Sequence, residues 1–550
     1  MTDLATARIV PIVDPVRAGI ASGWKVIDAA RLEADRDLEA DVVVIGTGAG
    51  GGVTAEVLAD AGLTVILVEE GPLKTSSDFH MREREAYPQL YQESAGRQSK
   101  DKSITILQGR SVGGSTTVNW TSSFRTPAAT LAHWRDARGI RGYGEAELVP
   151  WFERMEARLA IAPWPVAPNE NNDVLRRGCA ALGIPTGAIR RNVKGCWNIG
   201  YCGMGCPTNA KQSMLVTTIP AALAKGATLV YRCRVERLVA EGQSEPGDRV
   251  REGARIAYAE ARGIESAGSS PGSHRIRLRA RHFVLAAGAI GSPAVLLRSA
   301  LPDPHLNVGM RTFLHPTLVS AAIMPGAVEA HAGAPQSVYS DHFLAADPAT
   351  GPAGFKLEAP PVHPILAGIT MPGFGMEHAK AMASFNNLQV LIALLRDGFH
   401  TDSRGGRVRL RADGSPELDY AMTPYLWEGA RRAFLAMAEI QFAAGAREVM
   451  PLHEGASRLG SWAATKSAIE SLPMESLRAR VVSAHVMGGC AMGSNPRESV
   501  VDEAGRHHGM ANVSVHDGSL FPTSLGANPQ LTIYALAARL ATGLAGKLAR

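Results

Sequence analysis

Three glycines and one acid carry the first chemical signal in the chain. Gly46, Gly48 and Gly51 stand in G-x-G-x-x-G spacing, and Glu69 follows about 20 residues later. Residues of these types at this spacing can grip a dinucleotide. The first glycine makes a tight turn, the second lets backbone approach a pyrophosphate, and the third lets a helix pack closely on a strand. The N-terminus of that helix would face the phosphates. Glu69 can accept a ribose hydroxyl, and it is favoured over Glu70 because it directly follows an apolar run. The pattern does not choose between NAD and FAD. A second group is Cys196, Cys202 and Cys206, three thiols in the glycine-rich stretch GCWNIGYCGMGCP. A third is His507, His508 and His516, in or near RHHGMANVSVHD, which reads as a solvated loop rather than a metal site. The chain has no HExxH or paired CxxC pattern to suggest zinc.

The grip needs particular elements around it. DVVVIG is a short, β-branched apolar run and predicts a buried strand. VTAEVLADAG has helical composition and stops at Gly62, and TVILV predicts a second strand that ends on Glu69. Residues 1–40 form a lead-in, and the polar segment 75–108 suits a loop or lid. The stretch 128–190 reads as helical with a Pro-rich break at APWPVAP. Residues 227–240 read as strands, 241–275 as a polar, hairpin-like excursion, and HFVLAAGAIGSPAVLLRS as strand, glycine turn and helix. RGGRVRLRADGSPELDY predicts a hairpin around Asp413 and Gly414. An Ala/Leu-rich helix closes the chain.

With 550 residues, the chain predicts two domains or one large interleaved body. Hydrophobic residues make up 45% and charged residues 20%, an ordinary globular composition. A net charge of +5 argues neither for nucleic acid nor for an anionic membrane. No apolar stretch is long enough to span a bilayer, and the N-terminus has acids and prolines where a signal peptide would have a basic end and an apolar block. The expected setting is the cytoplasm. The 6 cysteines do not form a secreted disulfide framework.

Three further blocks carry a family resemblance. GRSVGGSTTVNW resembles the first signature of the glucose–methanol–choline (GMC) oxidoreductases, with Gly109, Arg110, Gly113, Gly114, Ser115, Thr116 and Asn119 in matching positions. GAIGSPAVLLRSAL resembles the second, through Gly288, Ser292, Pro293, Leu296, Leu297 and Ser299. There the family usually has glycines in place of Ala300 and Pro302. SAHVMGGCAMG and DGSLFPTSLGANPQLTIYALAARLA resemble the C-terminal active-site region. The resemblance runs from about residue 40 to the end, in the family's order.

It implies an α/β fold: a Rossmann-like FAD-binding domain built from a discontinuous chain (41–302 and 481–550) and a substrate domain on an antiparallel sheet (303–480). It implies FAD, along which 109–119 would lie. Asp517 and Gly518 would stand near the pyrophosphate and ribitol, Pro529 beside the flavin, and the Val235 backbone at the adenine. Val118 occupies the position where several members attach FAD through a His, so non-covalent FAD is expected. His485 and Asn528 correspond to the pair that faces the flavin, which makes His485 the expected base and Asn528 the expected hydrogen-bond donor to the alcohol oxygen. Asn528 before Pro also reads as a helix N-cap. The wording H-x-M-G-G-C and N-P-Q-L-T-I resembles the branch of long-chain alcohol oxidases and cholesterol oxidases, which implies an apolar alcohol: long-chain, terpenoid, sterol-like or aromatic. Some relatives hold a three-iron cluster on three cysteines. The spacing of Cys196, Cys202 and Cys206 differs from theirs, so thiols without a cluster are expected. Two alternatives to alcohol oxidation stay open: a flavin-containing lyase of the same family, and an electron-transfer subunit that needs a partner. The electron acceptor, whether oxygen, quinone or protein, is not legible.

Overall fold

The β-branched run at 41–45 is the second half of the strand Arg36–Ile45, where Val42, Val43, Val44 and Ile45 are all buried. Continuous burial, rather than alternation, is what a parallel strand covered on both faces requires. The computed structural model describes residues 12–549 apart from 244–247, 249, 266–269, 345 and 346. In it this strand belongs to an eight-stranded sheet. The order is Lys25–Asp28, Thr228–Tyr231, Val65–Val68, Arg36–Ile45, Pro271–Leu285, Ile256–Ile264 and Cys233–Ala240, with Val513–Val515 also paired to Pro271–Leu285. The first four junctions and the Val513–Val515 pairing are parallel, and the last two junctions are antiparallel. Pro271–Leu285 lies along Arg36–Ile45 and divides its other edge between Ile256–Ile264 and Val513–Val515.

The helix after the strand Arg36–Ile45 spans Ala49–Asp60 with Gly48 as its N-cap, so it starts four residues before the stretch that the sequence marked. The intervening glycines therefore lie in its first turn. A Cβ on Gly51 would stand 1.9 Å from the Gly46 carbonyl oxygen, which is the close packing expected of the third glycine. Gly46 itself has φ +102, a conformation that favours glycine. The helix packs against Thr218–Ala224 and the C-terminal helix Gln530–Leu548.

A second eight-stranded sheet runs Ile104–Ile106, Val481–Ser483, Thr317–Ile323, Leu388–Leu395, Phe355–Glu358, Val338–Ser340 and Gly187–Ala188, with Glu448–Pro451 also on Thr317–Ile323. Its pairings are antiparallel except that of Ile104–Ile106 with Val481–Ser483. Most of its strands come from 303–480, and 104–106, 187–188 and 481–483 supply the rest. The helix Pro424–Ala443 packs on it, burying Leu426, Phe434, Met437 and Ile440. Each sheet has its own hydrophobic core cluster.

Other expected elements are present. Gly406–Leu410 and Pro416–Asp419 form the hairpin, and Ala128–Arg138, Glu145–Arg158 and Glu170–Ala181 fill the helical stretch. The segment 75–108 is more ordered than a loop, with the helix Glu83–Leu90 and the strand Ile104–Ile106. The excursion at 241–275 is built on antiparallel strands, and its residues 244–247, 249 and 266–269 lie outside the described residues, as do 1–11 of the lead-in. Among the described residues no helix is long and apolar enough to cross a membrane.

Candidate active site

The two sheets meet at a cavity of about 1330 Å³. Gly46, Gly48 and Glu69 line one end of it, and Glu70 joins them there. The Glu69 carboxylate accepts hydrogen bonds from the Thr47 hydroxyl (2.6 Å) and the Gly71 N–H (2.8 Å). Burial nevertheless raises its pKa from the ordinary value. Thr47 Oγ1 in turn accepts the Gly113 N–H at 2.9 Å, so one hydroxyl ties the acid to the block at 109–119. Glu70 differs. Burial opposes its ionisation, but the charges of Arg234 and Arg110 outweigh burial and bring its pKa down to about 2. Arg110 is thus an ion-pair partner at the back of the cavity. Gly51 and Gly113 also stand behind the wall rather than on it.

Gly114, Ser115, Thr116 and Asn119 continue the lining. A Cβ on Gly114 would come within 2.7 Å of Gly48 Cα, so the two segments approach closely where both have glycine. Thr116 Oγ1 donates to the Gly113 carbonyl and accepts the Met214 N–H. Val235 reaches the cavity from the strand Cys233–Ala240, and its carbonyl accepts from Arg298. Asp517, Gly518 and Pro529 arrive from the C-terminal segment. The Asp517 carboxylate accepts the Gly288 N–H (2.8 Å), the Ser292 hydroxyl (2.5 Å) and the Ser519 N–H (2.8 Å), which locks the second signature to the tail. Burial still raises its pKa.

The far end is lined by His485, just beyond the strand Val481–Ser483, and by Asn528, just before the last helix. Burial lowers the His485 pKa to about 4, so its imidazole is neutral near pH 7. Its Nδ1 lies 3.4 Å from Nδ1 of His315. His315 is buried and accepts the Gly526 N–H on Nε2 at 2.9 Å, so neutral His315 carries its hydrogen on Nδ1. That hydrogen points at His485 Nδ1, which leaves the His485 hydrogen on Nε2. Asn528 makes no N-cap bond. Pro529 is the cap residue, without a side-chain contact, and the Asn528 amide donates instead to Glu358 Oε2 at 3.2 Å. The capping reading of Asn528 is therefore corrected. Glu358 also accepts from Gln336 at 2.7 Å, and burial raises its pKa to about 7 against the pull of Lys356 and Asn528. Asn528 Oδ1 and Glu358 Oε1 are buried with no protein partner.

This arrangement matches known proteins along most of its length. Models of the GMC oxidoreductase family match residues 87–317 and 401–537, the N- and C-terminal parts of that family. The chain belongs to the GMC oxidoreductase family. A long-chain-alcohol oxidase of Arabidopsis thaliana is 29% identical over 95% of this chain and 70% of its own length. An uncharacterized GMC-type oxidoreductase of Sinorhizobium fredii is 30% identical over 93% of this chain and 95% of its own. Among solved structures, pyridoxine 4-oxidase from Mesorbium loti superposes with a TM-score of 0.64 at 19% identity, covering 92% of this chain and 98% of that one. Formate oxidase from Aspergillus oryzae gives 0.65 at 16%, covering 94% and 100%. These two structures have the same fold. The protein is an FAD-dependent oxidoreductase of the class acting on CH–OH donors, and its cofactor is FAD.

The family frame leaves several neighbouring residues unexplained by sequence reasoning. Glu358, His315, Gln336 and Lys211 carried no motif. Lys356 and Glu358 are two charges on one face of a strand whose four residues are all buried, which only the structure shows. Gln530 was also missed. Its side chain accepts from Asn119 (2.6 Å) and Tyr534 and donates to the Ser122 carbonyl and Ser123, joining the first signature to the last helix. The solvated-loop reading of the histidines is corrected in part. His508 is exposed, but His507 and His516 are buried, with His516 bonded to Thr54 and Ser514. They sit on the strand and turns that close the first sheet. Among the described residues no cluster of three potential metal ligands occurs.

Proposed function

We propose that the enzyme oxidises an apolar alcohol to the aldehyde or ketone, with the alcohol oxygen held between His485 and Asn528. The observation that carries this is one cavity lined by the dinucleotide fingerprint at one end and by His485 and Asn528 at the other. Bound FAD supplies the acceptor for the hydride. Gly46, Gly48 and Glu69 would hold its phosphates and adenosine ribose, with Val235 at the adenine. Ser115, Thr116, Asn119, Asp517, Gly518 and Pro529 would hold the rest. Val118 offers no nucleophile for a covalent link. The glycine contacts and the unpaired buried atoms of Asn528 and Glu358 fit such a group. The apolar preference draws on Val319, Val390, Ile392 and Leu394, which line the cavity, and on the Arabidopsis relative's activity. Six unpaired cysteines fit a reducing setting such as the cytoplasm.

His485 is the proposed base, a role that requires its Nε2 to be free of the hydrogen that the His315 contact places there, and the amide of Asn528 is oriented by Glu358 to donate to the oxygen as its charge grows. The Gly526 contact on His315 favours a second assignment of roles within the same reaction. There His485 Nε2–H donates to the alcohol oxygen and Glu358 takes the proton. The pH dependence separates the two, because reduction speeds up as pH rises through the pKa of the base. A step near 4 points to His485 and one near 7 to Glu358.

The overall reading is tested by mixing the FAD-loaded protein anaerobically with a panel of long-chain, terpenoid, sterol and aromatic alcohols. Bleaching of the visible flavin band by at least one of them is expected. A flavin that stays oxidised with all of them while a carbonyl adduct or cyanide is exchanged would instead support a lyase. Reduction only in the presence of a second protein would support an electron-transfer subunit.

A further inference from the structure

The six cysteines fall into two classes. Cys179, Cys233 and Cys490 are buried, and burial pushes each thiol well above its usual pKa. Cys196, Cys202 and Cys206 are partly exposed and line a second, very small cavity with Arg191, Asn198 and Lys211. Its volume of about 10 Å³ is room for about one water molecule.

The thiols there are unequal. Cys206 Sγ accepts the Lys211 N–H at 3.4 Å and faces Thr208 Oγ1 at 3.4 Å. Burial pushes this thiol up, but those bonds and the Lys211 charge outweigh it and hold its pKa below the usual thiol value. Cys202 faces the Arg191 guanidinium at 3.7 Å, yet burial keeps it protonated. Arg191 is buried, and its Nη1 has no partner. A thiol of lowered pKa beside one of raised pKa, under a guanidinium with a free N–H, is the arrangement of an attacking and a resolving cysteine.

Lys211 connects this pair to the flavin site. Its buried ammonium donates to the carbonyls of Thr117 (2.5 Å), Asn119 (3.0 Å) and Cys202 (2.8 Å). Through this ammonium and its backbone N–H, Lys211 touches the Cys202 carbonyl, Cys206 Sγ and the end of the first signature.

We propose that Cys202 and Cys206 are a reversible dithiol–disulfide pair, oxidised by peroxide and coupled through Lys211 to retention of FAD. The Cys206 thiolate attacks one peroxide oxygen. The O–O bond breaks, hydroxide leaves and takes a proton to become water, and Cys206 becomes a sulfenic acid. The Cys202 sulfur then attacks Cys206, the S–S bond forms, and the sulfenic oxygen leaves as water with the Cys202 proton. Two electrons pass from the pair to the peroxide. Closing the pair shifts the Cys202 carbonyl and Cys206 Sγ, two contacts of Lys211, and so loosens its hold on the Thr117 and Asn119 carbonyls.

Trypsin places Cys196, Cys202 and Cys206 on one peptide, 195–211, so Cys196→Ser isolates the pair. FAD-loaded C196S protein is treated with stoichiometric hydrogen peroxide, blocked with iodoacetamide and digested. Peptide 195–211 should lose two hydrogen atoms and resist alkylation, and dithiothreitol should restore both thiols. FAD release, followed by fluorescence, should be several-fold faster in the oxidised protein and recover on reduction. Cys202→Ser should instead yield a dimedone adduct at Cys206 and no change in release. Two alkylatable thiols after peroxide, or a sulfinic acid at Cys206 beside a free Cys202, would overturn the pair. Unchanged FAD release from protein carrying the disulfide would overturn the coupling.

Discussion

At the end of the cavity proposed to hold the dinucleotide, the chain presents mostly backbone. Gly46, Gly48 and Gly114 bring main chain to the surface, and the acid beside them is held by the Thr47 hydroxyl and the Gly71 N–H. At the reaction end it presents side chains: His485 against His315, and Asn528 against Glu358, itself braced by Gln336. A backbone grip needs a few consecutive residues with unusual conformational freedom, so it is written locally. A side-chain constellation needs only that strands distant in sequence end side by side, so it leaves no local pattern.

Substitutions should separate the two ends. The largest effect is expected from Gly51→Ala, whose methyl would meet the Gly46 carbonyl at 1.9 Å. Purified protein should carry no FAD by its 450 nm absorbance, and normal FAD content would show that the turn tolerates a side chain. Next comes His485→Ala, which should slow anaerobic flavin reduction by about 10²–10⁴-fold while FAD stays bound. Unchanged reduction would remove His485 from the chemistry. Glu358→Gln should act more mildly if Glu358 only orients Asn528, by about tenfold. If it takes the proton, the loss should approach that of His485→Ala, and the step near pH 7 should vanish from the rate profile. The sign follows from its raised pKa: the carboxylate, and with it the rate, is gained as pH rises through 7. The smallest effect is at Ala300, which ends the helix Gly288–Ser299 with φ +49. An L-residue there costs about 1 kcal/mol, partly offset by the greater unfolded-state freedom of glycine. Ala300→Gly should raise the thermal midpoint of the FAD-loaded protein by about a degree, and a lower midpoint would contradict the strain.

The sequence was most informative where an element and its function coincide. The run at 41–45, its glycines and Glu69 predicted strand, turn and helix together, and the three family blocks placed His485 and Asn528 on the same cavity. Glu358 was hidden because FKLE reads as an ordinary alternating strand, and only its position inside the second sheet buries all four residues. Lys211 and Gln530 were hidden for a related reason. Their partners, the carbonyls of Thr117, Asn119 and Ser122, are backbone groups that no residue type announces. The buried His516 misled because its polar neighbours in sequence suggest solvent, whereas the strand Val513–Val515 carries it onto Pro271–Leu285.

The pairing of Val513–Val515 with Pro271–Leu285, and of the helix Gln530–Leu548 with Ala49–Asp60, has a consequence for biosynthesis. The helix Ala49–Asp60 emerges roughly 470 residues ahead of its C-terminal partner, an interval of about half a minute to a minute and a half at ordinary translation speeds. Until then the helix Ala49–Asp60 lacks the C-terminal helix that packs on it. Over that interval the nascent chain carries an unfinished nucleotide-binding half.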